Sequence, residues 1–98
     1  MRIPIFLITL SVLPAAAWAQ ADTRTASLAA TCANCHGTDG RSVTSQVPAL
    51  AGVPRQNIVS ALKGFKDGTR PATVMHQLAK GYTDPQIEAL AAYFAAQK

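Results

Sequence analysis

Apolar positions recur at helical spacing through the second half of the chain. Ile58, Ala61, Leu62 and Phe65 fall on one face of a helix that Pro54 can open and Gly68 can close. Lys63 and Lys66 lie off that stripe near the helix end, where a cation suits the helix dipole. Ile87, Leu90, Ala91 and Phe94 form a second apolar face. It is preceded by Thr83-Asp84-Pro85-Gln86, in which Thr83 is an N-cap, Pro85 suits the first turn and Gln86 completes a capping box. A short helix is expected over Val74 to Lys80, stopped by Gly81. Upstream, Ala26, Leu28, Ala29, Ala30 and Ala33 favour a helix from about Thr25 to Asn34, ending near Gly37, with Gln20 to Thr25 polar and frayed. The stretches Gly37 to Val47, Pro48 to Gly52 and Thr69 to Thr73 read as loops. No alternating run suggests a strand, and no internal repeat is visible. The expected class is all-α, with long loops that need something to wrap.

The first of those helices carries Cys32-Ala33-Asn34-Cys35-His36. C-x-x-C-H is the pattern for covalent attachment of a c-type haem. Two thiols can add to the two vinyl groups of a porphyrin, and the adjacent imidazole can bind its iron. On a helix, residues three and four apart share a face, so Cys32, Cys35 and His36 can serve one plate. Other readings exist. An exported protein can close a Cys32–Cys35 disulfide. A thioredoxin-like redox pair needs a βαβ context that is not visible. A zinc site could recruit Cys32, Cys35, His36 and His76, but a histidine directly after a cysteine departs from usual zinc spacing.

His36 has a second ring nitrogen, which should donate to a carbonyl and so fix the ring. The Pro48 carbonyl is a candidate acceptor; an ordinary loop-setting proline is the plainer reading of that residue. An electron carrier needs both axial positions of its iron filled, and methionine opposite histidine raises the potential. Once Met1 is removed, Met75 is the only methionine left. It follows a polar Arg70-Pro71 loop, unlike a core gap-filler in an apolar run. The rival ligand is His76, next door. Leu50 and Phe65 would pack near a haem, and Tyr93 and Phe94 against the first helix near Ala29. Arg41, Arg55 and Arg70 could each neutralise a propionate, although a solvated surface charge explains each as well.

Composition changes this picture at the N-terminus. Met1-Arg2 is a short basic segment, Ile3 to Leu13 is mostly apolar and uncharged, and Ala17 and Ala19 supply an A-x-A pattern. This predicts a signal peptide over residues 1–19, cleaved after Ala19. The apolar run is shorter than the ~20 residues that span a bilayer, and no later stretch is long and apolar enough for a membrane helix. The mature chain, residues 20–98, would be one domain in an oxidising periplasm. It would hold no tryptophan, since Trp18 leaves with the signal. A domain of this size is marginal without a staple, and a haem would act as one. The formal charge of +4 falls by one with Arg2. That surplus permits an acidic protein partner and is far from a nucleic-acid signal.

Taken together, Cys32-Ala33-Asn34-Cys35-His36-Gly37, Pro48-Ala49-Leu50-Ala51-Gly52, Leu62 to Arg70 and Met75 resemble a class I c-type cytochrome of the cytochrome c4 and c553 group. The ending Met75-His76-Gln77-Leu78-Ala79-Lys80-Gly81-Tyr82-Thr83-Asp84, followed by Ile87 to Phe94, is similar to the cytochrome subunit of flavocytochrome c sulfide dehydrogenase. The resemblance implies the class I fold, three to five helices around one covalently bound haem c. It implies Cys32 and Cys35 as thioether sites and His36 and Met75 as axial ligands. It implies one-electron transfer with no catalytic residue of the chain's own, an FAD-containing sulfide dehydrogenase subunit as electron donor and a downstream redox protein as acceptor. Members with two haem domains are common in that family, whereas one motif here fits a monohaem form. A free soluble carrier is the alternative, and a gas-binding or peroxidase-like protein with an open iron is a third.

Overall fold

A computed structural model describes residues 16–98. Four α-helices and one 3-10 turn make up the described residues, with no strand among them. Most of the predicted signal peptide, residues 1–15, lies outside this range.

Helix α1 runs Ala16–His36. It begins well before the expected Thr25, because residues 16–36 contain neither glycine nor proline and are rich in alanine, so nothing in that stretch breaks a helix. The stop near Gly37 is as expected. Gly37 takes φ +84° while its N–H still reaches Ala33 O at 3.0 Å. A Cβ there would lie 2.0 Å from Arg41 O, so no other residue fits the turn. The 3-10 turn Thr38–Gly40 follows, and then a long loop.

Helix α2 is Arg55–Asp67, with Pro54 at the N-cap and Gly68 in the left-handed region at the C-cap. Its buried residues are Ile58 and Val59, with Ala61, Leu62 and Phe65 half-buried. The stripe is rotated from the expected one because α2 packs against two elements, α3 and α4. Helix α3, Met75–Ala79, is a single short turn and a half that buries Ala79 completely. Helix α4 is Asp84–Ala95. Its start matches the sequence reading: Thr83 Oγ1 accepts from Gln86 N–H, and Gln86 Oε1 accepts from Thr83 N–H. Two N–H groups that a helix start leaves orphaned are thereby satisfied.

The core is one cluster: Ala29 from α1, Ile58 and Val59 from α2, and Ile87, Leu90, Ala91 and Phe94 from α4. All four expected apolar positions of α4 are buried, so this helix is the wall against which α1 and α2 pack. Replacing Ile87 or Leu90 by alanine should cost about 2–5 kcal/mol. Such a loss is severe for a domain this small.

Candidate cofactor site

The last turn of α1 places Cys32, Cys35 and His36 together, as their spacing requires. Both cysteines are free. Cys32 is half-buried against the core cluster and Cys35 is exposed. Burial pushes the Cys32 thiol above its ordinary pKa, partly offset by the neighbouring Thr31 and Tyr82 hydroxyls. Those hydroxyls also bond each other, Thr31 Oγ1 to Tyr82 Oη at 3.0 Å. Lys66 Nζ donates to Tyr82 O at 2.6 Å. Tyr82 therefore ties the end of α1 to α2 and to the short link between α3 and α4. No periodicity marks Tyr82 in the sequence, since it lies in a link between helices.

His36 is the one buried polar or charged residue among the described residues, 9% exposed. Its Nδ1 lies 2.7 Å from Pro48 O. A carbonyl only accepts, so Nδ1 carries a proton, and in the neutral ring the lone pair is then on Nε2. That is the tautomer a metal-binding imidazole needs, and the bond both fixes the ring and raises its basicity. The expected role of Pro48 is present as geometry.

Pro48 is held in turn. Leu50 N–H and Ala51 N–H both reach Gly40 O, at 2.8 and 3.1 Å. Gly40 N–H reaches Gly37 O at 3.0 Å. Gly40 is buried at φ +78°, and a Cβ there would sit 2.8 Å from Leu50 Cβ and from Ala51 N and 2.9 Å from Phe94 Cδ1. Ser42 Oγ donates to Val47 O at 2.6 Å and pins the loop between. Two contacts come from the end of α4: Gly52 N–H to Phe94 O at 2.9 Å, and Tyr93 Oη to Asp39 Oδ1 at 2.6 Å.

Met75 stands on a different element, at the start of α3, half-buried. On either side of it Val74 and Leu78 are each 50% exposed, two of the three large apolar side chains left open among the described residues. His76 is half-buried, and its Nδ1 is buried without a hydrogen-bond partner among the described residues. An orphaned ring nitrogen and two open apolar side chains lie beside the Met75 thioether in the chain. An apolar plate is the group such a surface would cover.

The donor set therefore fits a c-type haem. Two free thiols and a hydrogen-bonded imidazole share one turn, and a methionine begins a short helix flanked by exposed apolar side chains. The zinc reading finds no support: among the described residues no group of three or more His, Cys, Asp and Glu is arranged so that it could hold a metal ion by itself. The three arginines considered for a propionate have protein partners. Arg41 Nε donates to Lys98 O at 2.9 Å, Arg55 pairs with Glu88, and Arg70 lies over the Phe65 ring, 5.1 Å from its centroid.

The sequence matches the family described as Cytochrome c over residues 21–98. The chain belongs to the cytochrome c family. Its cofactor is the family's covalently bound haem c, and its class is the all-α class I fold. Among curated relatives, the cytochrome subunit of sulfide dehydrogenase of Chlorobaculum tepidum is 48% identical over 67 residues, 68% of this chain and 60% of that protein. Cytochrome c-554(548) of Halomonas halodenitrificans is 37% identical over 71 residues, 69% of this chain and 86% of that one. Cytochrome c4 of Pseudomonas aeruginosa is 39% identical, covering 71% of this chain and 35% of the relative. The chain thus spans well under two thirds of some relatives' length. A solved structure of Acidithiobacillus ferrooxidans cytochrome c4 superposes with a TM-score of 0.63 at 40% identity, over 66% of this chain and 37% of the other. As a cytochrome c, the chain is an electron carrier.

Proposed function

We propose that this cytochrome is a periplasmic monohaem carrier that accepts electrons from a flavoprotein sulfide dehydrogenase as its cytochrome subunit. Cys32 and Cys35 form the two thioethers, and His36 and Met75 are the axial ligands. The observation that carries the site is the bond from His36 Nδ1 to Pro48 O, which commits that nitrogen and leaves Nε2 as the one that could bind iron, beside two free cysteines. Haem c supplies reversible one-electron exchange. The chain's residues do the rest. His36 is held in one orientation, so little reorganises when the charge at the site changes. Val74 and Leu78 exclude water on the methionine side.

Residues 1–19 are the proposed export signal, with cleavage after Ala19. Sequencing the N-terminus of the purified holoprotein should return Gln20. The partner rests on the 48% identity to a sulfide dehydrogenase cytochrome subunit. The deciding experiment is isolation from the native periplasm. Co-purification with a flavoprotein in fixed ratio, with haem reduction on adding sulfide, supports the subunit reading. A lone haem protein unresponsive to sulfide overturns it. The free-carrier reading then takes its place, favoured by the 86% of Halomonas cytochrome c-554(548) that the chain covers. Ready carbon monoxide binding by the reduced wild-type protein would instead point to an open iron and remove Met75 from the site.

A further inference from the structure

We infer that Tyr93 and Asp39 are positioning residues for His36, acting through backbone bonds to set the strength of its bond to Pro48 and hence the reduction potential. The inference rests on the proposed ligation by His36.

The connection is continuous. Tyr93 Oη donates to Asp39 Oδ1 at 2.6 Å, joining α4 to the turn directly after His36. Asp39 is the only non-glycine residue with positive φ among the described residues, at +53°. A side-chain carboxylate tolerates that region better than most, yet it remains a strained conformation that its surroundings must hold. The Tyr93 bond is one hold. The second is Arg41, whose Nη1 lies 3.4 Å from Asp39 Oδ2 while its Nε grips Lys98 O. Asp39 thereby fixes where the next residue, Gly40, points its carbonyl. That carbonyl accepts from both Leu50 and Ala51 N–H, and so sets the position of Pro48 two residues before. Pro48 O is the acceptor for His36.

Two backbone turn bonds also span Asp39, and the side-chain bonds add to them. The turn bonds from Gly40 and Arg41 N–H close Gly37 O and Thr38 O and leave the Asp39 carboxylate to the side chains. Phe94, next to Tyr93, packs against Gly40, and its ring meets Tyr93 edge-on with centroids 5.2 Å apart. One end of one helix thus sets the geometry of the bond behind the ligand. A shorter, straighter bond gives the imidazole more electron density to donate, which favours the oxidised iron and lowers the potential. Slackening the turn should raise it.

Tyr93→Phe tests this without changing charge. Asp39→Asn keeps an acceptor for Tyr93 and a residue type that tolerates positive φ. Asp39→Gly keeps the backbone freedom and loses the link. Two readouts are taken on the holoprotein: the reduction potential, and the NMR shift of the His36 ring Nδ1 proton in the reduced state. Tyr93→Phe is expected to raise the potential and move the ring proton toward a weaker hydrogen bond. Asp39→Gly should move the ring proton the same way, and Asp39→Asn should leave it near wild type. An unchanged potential and ring proton in Tyr93→Phe and Asp39→Gly overturn the inference, even if both variants melt earlier. A wild-type spectrum showing no ligated His36 overturns the ligation reading itself, which separates the two failures.

Discussion

The two walls of the haem site are built to different standards. On the His36 side the residues from Ala33 to Gly52 close a mesh of short bonds. His36 meets Pro48, Gly40 accepts twice, and α4 contributes Tyr93 and Phe94. On the Met75 side a helix of five residues presents two half-exposed apolar side chains and an unpartnered ring nitrogen. The first wall is complete in the protein alone. The second would be covered by the cofactor that Met75 is proposed to bind. If His36 and Met75 are the ligands, as proposed, a carrier benefits from that division, because one ligand is preorganised and the other could settle onto the plate after attachment.

The largest effects should come from the ligands, and they should differ between the walls. His36→Ala removes the proposed ligand and the buried group that anchors Pro48. Little holoprotein should accumulate, read as haem absorbance per protein in the periplasmic fraction. Met75→Ala leaves the attachment turn intact. Haem should remain covalently bound and survive denaturing gels, but the methionine-to-iron charge-transfer absorption should vanish and the reduced form should bind carbon monoxide. Equal losses of holoprotein in the two variants would sink the contrast.

Glycine substitutions probe the same difference through the backbone. Gly40→Ala puts a Cβ against Ala51 N and Leu50 Cβ at 2.8 Å, in a residue at φ +78°. It should cost about 3 kcal/mol, from strain and overpacking together. Gly81→Ala sits beside the looser wall, where the added Cβ meets only Leu78 O at 3.4 Å and φ is not positive. It should change stability by no more than about 0.5–1 kcal/mol, with the reduced freedom of the unfolded chain favouring the folded state. Denaturant unfolding of both holoproteins gives the two numbers. Between them in size lies Thr83→Ala at the start of α4, which loses the capping box common to both walls. About 1 kcal/mol is expected there.

The sequence declared those parts of the molecule whose cause is local. Thr83 and Gln86 are three residues apart and their reciprocal bonds are present. Ile87, Leu90, Ala91 and Phe94 are buried because one helix face dictates them. The Cys32–His36 turn follows from spacing, and the Pro48 acceptor from what a ligating histidine needs behind it. What could not be read depends on pairs far apart in the chain. Tyr93 and Asp39 are 54 residues apart, and Thr31 and Tyr82 are 51. The stretch Gly37 to Val47 reads as a loop, but nothing in it says that Asp39 itself takes the positive φ. In α2 the buried stripe moved to include Val59, because two neighbouring helices, and not one, cover that face.

The smallest predicted effect concerns the tighter wall at alkaline pH. The hydrogen bond to Asp39, then burial and the nearby carboxylate charge, raise the Tyr93 pKa above its ordinary value, with Arg41 opposing. A raised pKa means that the folded state resists losing this proton more than the unfolded state does. The bond's contribution to stability is therefore fully present below the ordinary tyrosine value of about 10 and is lost as pH climbs through the raised folded value. Lysine titration falls in the same window, so wild type alone is uninformative. The difference between wild type and Tyr93→Phe isolates the bond. The wild-type advantage in denaturant midpoint should be constant from neutral pH to about 9 and shrink above that. Once pH passes the raised value of folded Tyr93, the reduction potentials of the two proteins should also converge, since ionised Tyr93 can no longer donate to Asp39. An advantage that stays constant through the window would mean that Tyr93 holds the turn by packing alone, and the mesh around His36 would then owe less to that hydroxyl than to Phe94 and Gly40.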